Sequence, residues 1–316
     1  MVGVLSPTAQ VSVIVPTFNV AGEIARCLTS LQAQTAAVEI LVVDDASHDG
    51  TADIVARLAA QDPRIRLTRL AQNQGVQHAR FVGVAQARGA YVGFVDGDDW
   101  VEPVMFATLV AAAEQHQADV AVCDAWHERL GQPPQRLQRL PRPLVLDTPE
   151  ALLRLLTDRR SAVALWNKLF RREVWQALLA QQQTAPWPRI DVAEDSLLCA
   201  VVFAGCQRLA YVPEPLYHYI ERPGSAMHGL DPARVRQRMA NYHQVLQVLD
   251  AECRAHWPVL AAFNRRMAEI LFDSVTRDIA KLDVKGAARR TLRAERNQRF
   301  GRQPWVAFKV WLDGLL

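Results

Sequence analysis

Four short runs, residues 11–16, 39–43, 65–70 and 91–95, are apolar or alternate apolar with polar positions, and polar loops separate them. Their length suits strands better than buried helices. Thr17-Phe18-Asn19 leads from the first run into an amphipathic helix of about 14 residues carrying Ile24, Leu28 and Leu31. The second run ends in Asp44-Asp45-Ala46-Ser47, then Asp49-Gly50-Thr51 opens a helix bearing Ile54, Val55 and Leu58. The third leads through Asn73-Gln74-Gly75 into a helix with His78, Arg80 and Val84. Strand, loop and helix repeated in this order predict an α/β fold on a doubly wound, mainly parallel sheet. Such sheets bind ligands beyond the carboxyl ends of their strands, where the unusual polar residues of this chain all fall.

The fourth run delivers Asp96, Asp98 and Asp99 within four positions. Burying these carboxylates costs several kcal/mol each unless they are paired or bound to metal. Residues i and i+2 of an extended segment face the same way, so Asp96 and Asp98 can share one ion while Asp99 turns aside. Hard oxygen ligands in small number suit Mg2+ or Mn2+ holding a diphosphate. The alternative is that they cap the helix expected after Pro103.

Val13-Ile14-Val15-Pro16-Thr17-Phe18-Asn19, the stretch from Val42 through Asp44, Asp45 and Asp49 to Thr51, Asn73-Gln74-Gly75 with Ala79-Arg80, and Val95-Asp96-Gly97-Asp98-Asp99 form four blocks. In this order and spacing they resemble the nucleotide-sugar half of the family 2 glycosyltransferases, inverting enzymes of the GT-A fold. The match is close over residues 9–125 and looser to residue 230. The resemblance implies a nucleotide-sugar donor, commonly a UDP-sugar, and Mn2+ or Mg2+ bridging the Asp-x-Asp pair to its diphosphate. It implies that Pro16, Thr17 and the backbone up to Asn19 border base and ribose, that Asp45 or Asp44 binds the uracil, and that Arg80 lies by the nucleotide. Asp96, with Gly97 beside it, would contact ribose and metal, and Asp98 would be the main metal ligand. Ala46 stands where the family often has glycine and Phe81 where it often has asparagine. Local chemistry offers alternatives: Pro16 and Asn19 can end a strand and cap a helix, Asp49 and Thr51 can start one, and Arg80 can be solvated.

Inverting transfer is a single displacement and needs one carboxylate to take the acceptor hydroxyl's proton. Glu194-Asp195 opens an apolar helix and resembles the family's Glu-Asp motif, which makes Asp195 the base and leaves Glu194 and Asp191 in reserve. An acidic pair there also compensates a helix dipole. Trp166-Asn167-Lys168-Leu169-Phe170-Arg171-Arg172 is a further family-like segment. The run from Tyr217 to His228 resembles the family's aromatic strand and Gly-Ser loop, where His228 or Arg222 would face metal or diphosphate. A loop histidine is otherwise an ordinary solvated residue.

The 316 residues divide into a nucleotide-sugar half (1–128), an acceptor-binding and catalytic half of the same domain (144–230) and a helical C-terminal region (231–316), with residues 129–143 as a connecting loop. Five cysteines without metal spacing predict reduced thiols. No basic, apolar leader and no run of 18 apolar residues is present, which predicts a cytoplasmic chain. Residues 281–316 hold nine Lys or Arg against three Asp or Glu, a net of +6 within a total of +3. With Trp305, Phe308 and Trp311, that tail suits either the inner face of an anionic membrane or packing on the protein's own body. Basic charge confined to one tail speaks against nucleic-acid binding. The expected function is sugar transfer to a saccharide or lipid-linked acceptor in bacterial surface polysaccharide assembly. The alternatives are a nucleotidyltransferase of similar fold and a non-catalytic binding scaffold.

Overall fold

A computed structural model describes residues 9–137, 142–157, 163–221, 231–282 and 287–300. Strands β1 (Val11–Thr17), β2 (Val38–Asp44), β3 (Ile65–Arg69) and β4 (Tyr91–Phe94) alternate with helices α1 (Ile24–Gln32), α2 (Thr51–Ala59) and α3 (Val76–Gln86). They lie side by side in the order β3-β2-β1-β4, all parallel. Every residue of β1 and β2 is buried, as expected of central strands covered on both faces. Val13 and Val15 enter a core with Leu28 and Leu31 of α1, whereas Ile14 between them enters the opposite core with Val84 of α3.

Beyond β4 the sheet becomes mixed. After β5 (Trp100–Val101), helix α4 (Met105–His116) leads into β6 (Val120–Arg129), followed by the short β7 (Gln135–Arg136) and β8 (Leu144–Leu146). Helix α5 (Pro149–Thr157), β9 (Lys168–Arg171), α6 (Arg172–Thr184), α7 (Glu194–Ala204) and β10 (Leu209–Glu221) complete the α/β part. Strand β9 inserts between β4 and β6, antiparallel to both, so strands from both halves of the sequence share one sheet. The stretch expected as a connecting loop, 129–143, is partly strand: β6 extends to Arg129 and β7 pairs antiparallel with β6, while β8, just beyond it, pairs antiparallel with β10.

The first helix begins later than its periodicity suggests and spans nine residues. The segment before it is held by the loop after β2: the Asn19, Val20 and Ala21 N–H groups donate to Ser47 Oγ, Thr51 Oγ1 and Asp49 Oδ2, each at 2.9 Å. Asn19 is left-handed at φ 53°, and its Oδ1 accepts from the His48 N–H at 2.9 Å. Side chains that outcompete helical hydrogen bonds in this way set the boundary.

The C-terminal region is helical in α8 (Pro232–Ala255), α9 (Leu260–Lys281) and α10 (Ala287–Phe300). Asp231 caps α8 by accepting from the Ala233 and Arg234 N–H groups. Leu292, Arg296 and Phe300 of α10 are buried, with the Arg296 guanidinium 4.3 Å from the Phe272 ring centroid of α9. This part of the basic tail packs on the protein, while Trp305, Phe308 and Trp311 lie outside the described residues. No helix among the described residues is long and apolar enough to cross a membrane. All five cysteines are free thiols, four of them buried.

Candidate active site

The carboxyl ends of β1, β2 and β4 converge with the first turn of α7. At the end of β2 the two neighbouring aspartates differ in use. Asp45 accepts from the Gln74 and Gly75 N–H groups at 2.7 and 2.8 Å, tying β2 to the loop before α3. Asp44 is fully buried; it accepts from the Ser47 N–H and pairs with Arg69 at 3.3 Å, yet its Oδ1 has no hydrogen-bond partner. A buried carboxylate oxygen left open is suited to a ligand or water donor. Gly75 has φ +90°, a conformation that favours glycine, and a Cβ there would stand 3.1 Å from Asp191 Oδ1, a tight contact. Thr17 is buried, with its hydroxyl donating toward Val43 O at 3.4 Å.

The acidic turn after β4 is fixed from three sides. A Cβ on Gly97 would meet Thr17 Cγ2 at 2.7 Å and the Pro16 carbonyl at 3.3 Å, so this glycine lets the turn lie against the end of β1. Arg26 Nη2 donates to the Asp98 carbonyl at 2.9 Å. Asp99 is buried and accepts from the Tyr217 hydroxyl at 2.5 Å and the Ile220 N–H at 2.8 Å, while the same tyrosine oxygen accepts from the Asp96 N–H at 3.2 Å. Burial, and then the neighbouring carboxylates of Asp98 and Asp96, raise the Asp99 carboxyl well above the usual range. Asp96 and Asp98 remain half-buried.

Helix α3 supplies the link to the second half of the chain. The Arg80 side chain is 3% exposed. Its Nη2 lies 3.2 Å from Asp96 Oδ1, and its Nη1 is 2.9 Å from Glu194 Oε1 and in close contact with Asp195 Oδ1. Ala193, left-handed at φ 66°, starts α7 so that Glu194 and Asp195 occupy its first turn. Burial opposes a charged Arg80, but Asp195, Asp96 and Glu194 together outweigh it and raise its pKa. Burial and the charge of Asp195 push Glu194 up to about 8. Burial raises Asp96 to about 6, with Asp195 and Asp98 adding to the shift and Arg80 opposing it.

Asp191 belongs to a different contact. Arg189 Nε donates to Asp191 Oδ1 at 2.7 Å, and its other nitrogens hold the Asn73 carbonyl and Oδ1 at 3.1 and 2.9 Å. The fold therefore gathers Asp96, Arg80, Glu194 and Asp195, and gives Asp191 to the loop before α3. His228 lies outside the described residues. Among the described residues no three His, Cys, Asp or Glu side chains are grouped to hold a metal ion. Asp96 and Asp98, half-buried and two residues apart, fit a cation whose other ligands are substrate oxygens and water, the usual arrangement for Mg2+ on phosphates. The clamp of Arg189 on Asn73 and the grip of Tyr217 on the acidic turn carry no signal in the local sequence, because the partners are 116 to 121 residues apart.

The signature of glycosyl transferase family 2 matches residues 12–179, just over half of the chain. The chain belongs to this family. The glycosyltransferase EpsJ of Bacillus subtilis (strain 168), itself uncharacterized, is 37% identical over 224 residues, which is 68% of this chain and 62% of EpsJ. The succinoglycan biosynthesis protein ExoO of Rhizobium meliloti (strain 1021) is 32% identical over 226 residues, 68% of this chain and 62% of ExoO. This chain thus spans about six-tenths of the length of these relatives. Among solved structures, S. aureus TarS 1–349 superposes with a TM-score of 0.67 at 20% identity, covering 92% of this chain and 80% of that one. TarS 1–349 is also known in complex with UDP and with UDP-GlcNAc. The α/β architecture with its helical C-terminal region is accordingly that of the GT-A fold.

Proposed function

We propose that this chain is an inverting glycosyltransferase that moves a sugar from a nucleotide-sugar, with UDP as the nucleotide, to a saccharide or lipid-linked saccharide. The observation that carries the reading is the contact of Arg80 with Asp96 on one side and with Glu194 and Asp195 on the other. It joins the acidic turn, where a diphosphate would sit, to the carboxylates available for proton transfer. A nucleotidyltransferase has no need of a base in that position, and a binding scaffold no need of the full carboxylate set.

In this reading Pro16, Thr17 and the backbone to Asn19 border base and ribose, and Asp44 Oδ1, the open buried oxygen, accepts from the base. Asp45 shapes the pocket by ordering residues 73–75. Asp98 and Asp96 would hold Mn2+ or Mg2+, which would supply positive charge against that developing on the leaving nucleotide. Asp195 accepts the proton of the acceptor hydroxyl as that oxygen attacks the anomeric carbon. Arg80 keeps the Asp195 carboxyl oriented, and Glu194, pushed upward in pKa, limits the negative charge around it. UDP bound to TarS supports the donor nucleotide, and the part of ExoO in succinoglycan biosynthesis supports bacterial surface polysaccharide assembly. The basic residues of 281–316, with Trp305, Phe308 and Trp311, make peripheral contact with an anionic membrane, where a lipid-linked acceptor would be presented.

A donor screen tests the reading: nucleotide release is measured with UDP-, GDP- and dTDP-sugars and Mn2+ or Mg2+. Release with UDP-sugars is expected, and no release with any donor would overturn it.

A further inference from the structure

One face of β10 carries Tyr217, Tyr219 and Glu221, and the parallel register with β6 sets Ala125, His127 and Arg129 directly beside them. Partners in register share a sheet face. Trp166, just before β9, stacks over this face: its ring centroid is 4.3 Å from that of Tyr217 and 6.0 Å from that of Tyr219, the latter pair inclined by only 1°. The His127 ring lies 5.2 Å from Tyr219. His127 Nε2 and Arg129 Nε both reach Glu221 Oε2 at 2.7 Å.

This row starts at the acidic turn, because Tyr217 is the residue that holds Asp99 and the Asp96 N–H. Burial and the carboxylates of Asp99 and Asp98 push the Tyr219 hydroxyl up, as befits a ring bordering that turn. Exposure then rises outward, from buried Tyr217 through half-buried Tyr219 and His127 to an Arg129 side chain that is 40% exposed. None of these outer groups serves the donor site or the proton transfer. Partly exposed aromatic rings that end in a charged donor and acceptor match the chemistry of a pyranose, whose C–H face stacks on rings while its hydroxyls need polar partners.

We infer that Tyr219, His127, Glu221 and Arg129, backed by Trp166, form the acceptor subsite and take a pyranose of the acceptor saccharide. The inference rests on the glycosyltransferase reading and adds to it the ligand class and the residues that select it. The sugar's apolar face lies on Tyr219, and its hydroxyls meet Glu221 and Arg129.

Saturation-transfer NMR on the intact chain tests this, with the methyl glycosides of glucose, galactose and N-acetylglucosamine in both anomers as probes. UDP binding is followed in parallel by calorimetry. At least one glycoside is expected to receive saturation at its ring C–H protons. Tyr219→Ala is expected to weaken that glycoside about tenfold, the scale of one lost aromatic contact. Arg129→Gln, at the exposed end where folding is not at stake, should weaken it as well, and UDP affinity should be unchanged in both variants. Glycoside contact indifferent to both substitutions, or no glycoside contact by a chain that binds UDP, overturns the subsite alone. Failure of the unaltered chain to bind UDP overturns the UDP-dependent reading on which the subsite rests, and the subsite with it.

Discussion

Arg80 Nη2 stands 3.2 Å from Asp96 Oδ1. The same guanidinium, through Nη1, engages Glu194 and Asp195, so one buried cation faces three carboxylates drawn from β4 and α7. Removing a single partner from a buried ionic network leaves uncompensated charge, which costs far more than a surface pair is worth. Arg80→Met should therefore destabilise the fold by about 3–5 kcal/mol in chemical denaturation. Adding Glu194→Gln should recover part of that loss, since the two sites are coupled. A loss below about 1 kcal/mol, the range of a surface pair, would show that the network is solvated.

Asp195→Asn keeps shape and removes proton acceptance. Turnover is expected to fall about 10²- to 10⁴-fold with UDP affinity little changed. Calorimetry decides: a collapse of UDP binding would move Asp195 from proton transfer to donor binding.

Asp98→Ala, and separately an excess of EDTA, should each abolish sugar transfer and donor hydrolysis, because charge on the leaving diphosphate then goes uncompensated. Undiminished rates in both experiments would refute a metal on this turn.

Far from the site, Arg64 clamps Asp62, and with help from Gln32 holds its carboxyl at about 2 rather than 3.8. A depressed folded-state pKa stabilises the fold above the unfolded value, and the contribution fades as pH falls through the folded one. Asp62→Asn should therefore cost up to about 2 kcal/mol at pH 7 and progressively less from pH 4 down to pH 2. Urea denaturation at pH 7 and pH 3 measures the difference, and an equal penalty at both would contradict it.

The tail offers a comparison of two truncations. A chain ending at Phe300 loses Trp305, Phe308 and Trp311 but only Arg302 and Lys309 of the nine basic residues in 281–316. It should keep its Tm and co-sediment more weakly with anionic liposomes while what remains stays salt-sensitive, each basic residue near the surface contributing about 1 kcal/mol. A chain ending before Arg289 should also lose Tm, because Leu292, Arg296 and Phe300 are buried against the body. If the intact chain shows no salt-reversible binding to anionic liposomes, the membrane role fails.

The sequence by itself determined the first four strands, their helices and the carboxylates at their ends. Those signals are local: a run of buried residues, a helical period, a polar break at the strand end. It also separated Asp96 and Asp98 from Asp99, because strand alternation is a property of neighbours. Only the tertiary structure decided where Arg80 goes. On its helix it reads as a solvated arginine, yet its partners lie 16, 114 and 115 residues away, and the carboxylates of the acidic turn and of α7 draw it inward against the cost of desolvation. The same holds for Asp45, which is spent on the backbone of residues 74 and 75, and for Asp191, which is bound by Arg189. It holds too for β9, whose antiparallel place between β4 and β6 no periodicity encodes. Periodicity and capping act within a few residues, whereas burial and charge pairing depend on which distant segments the fold brings together.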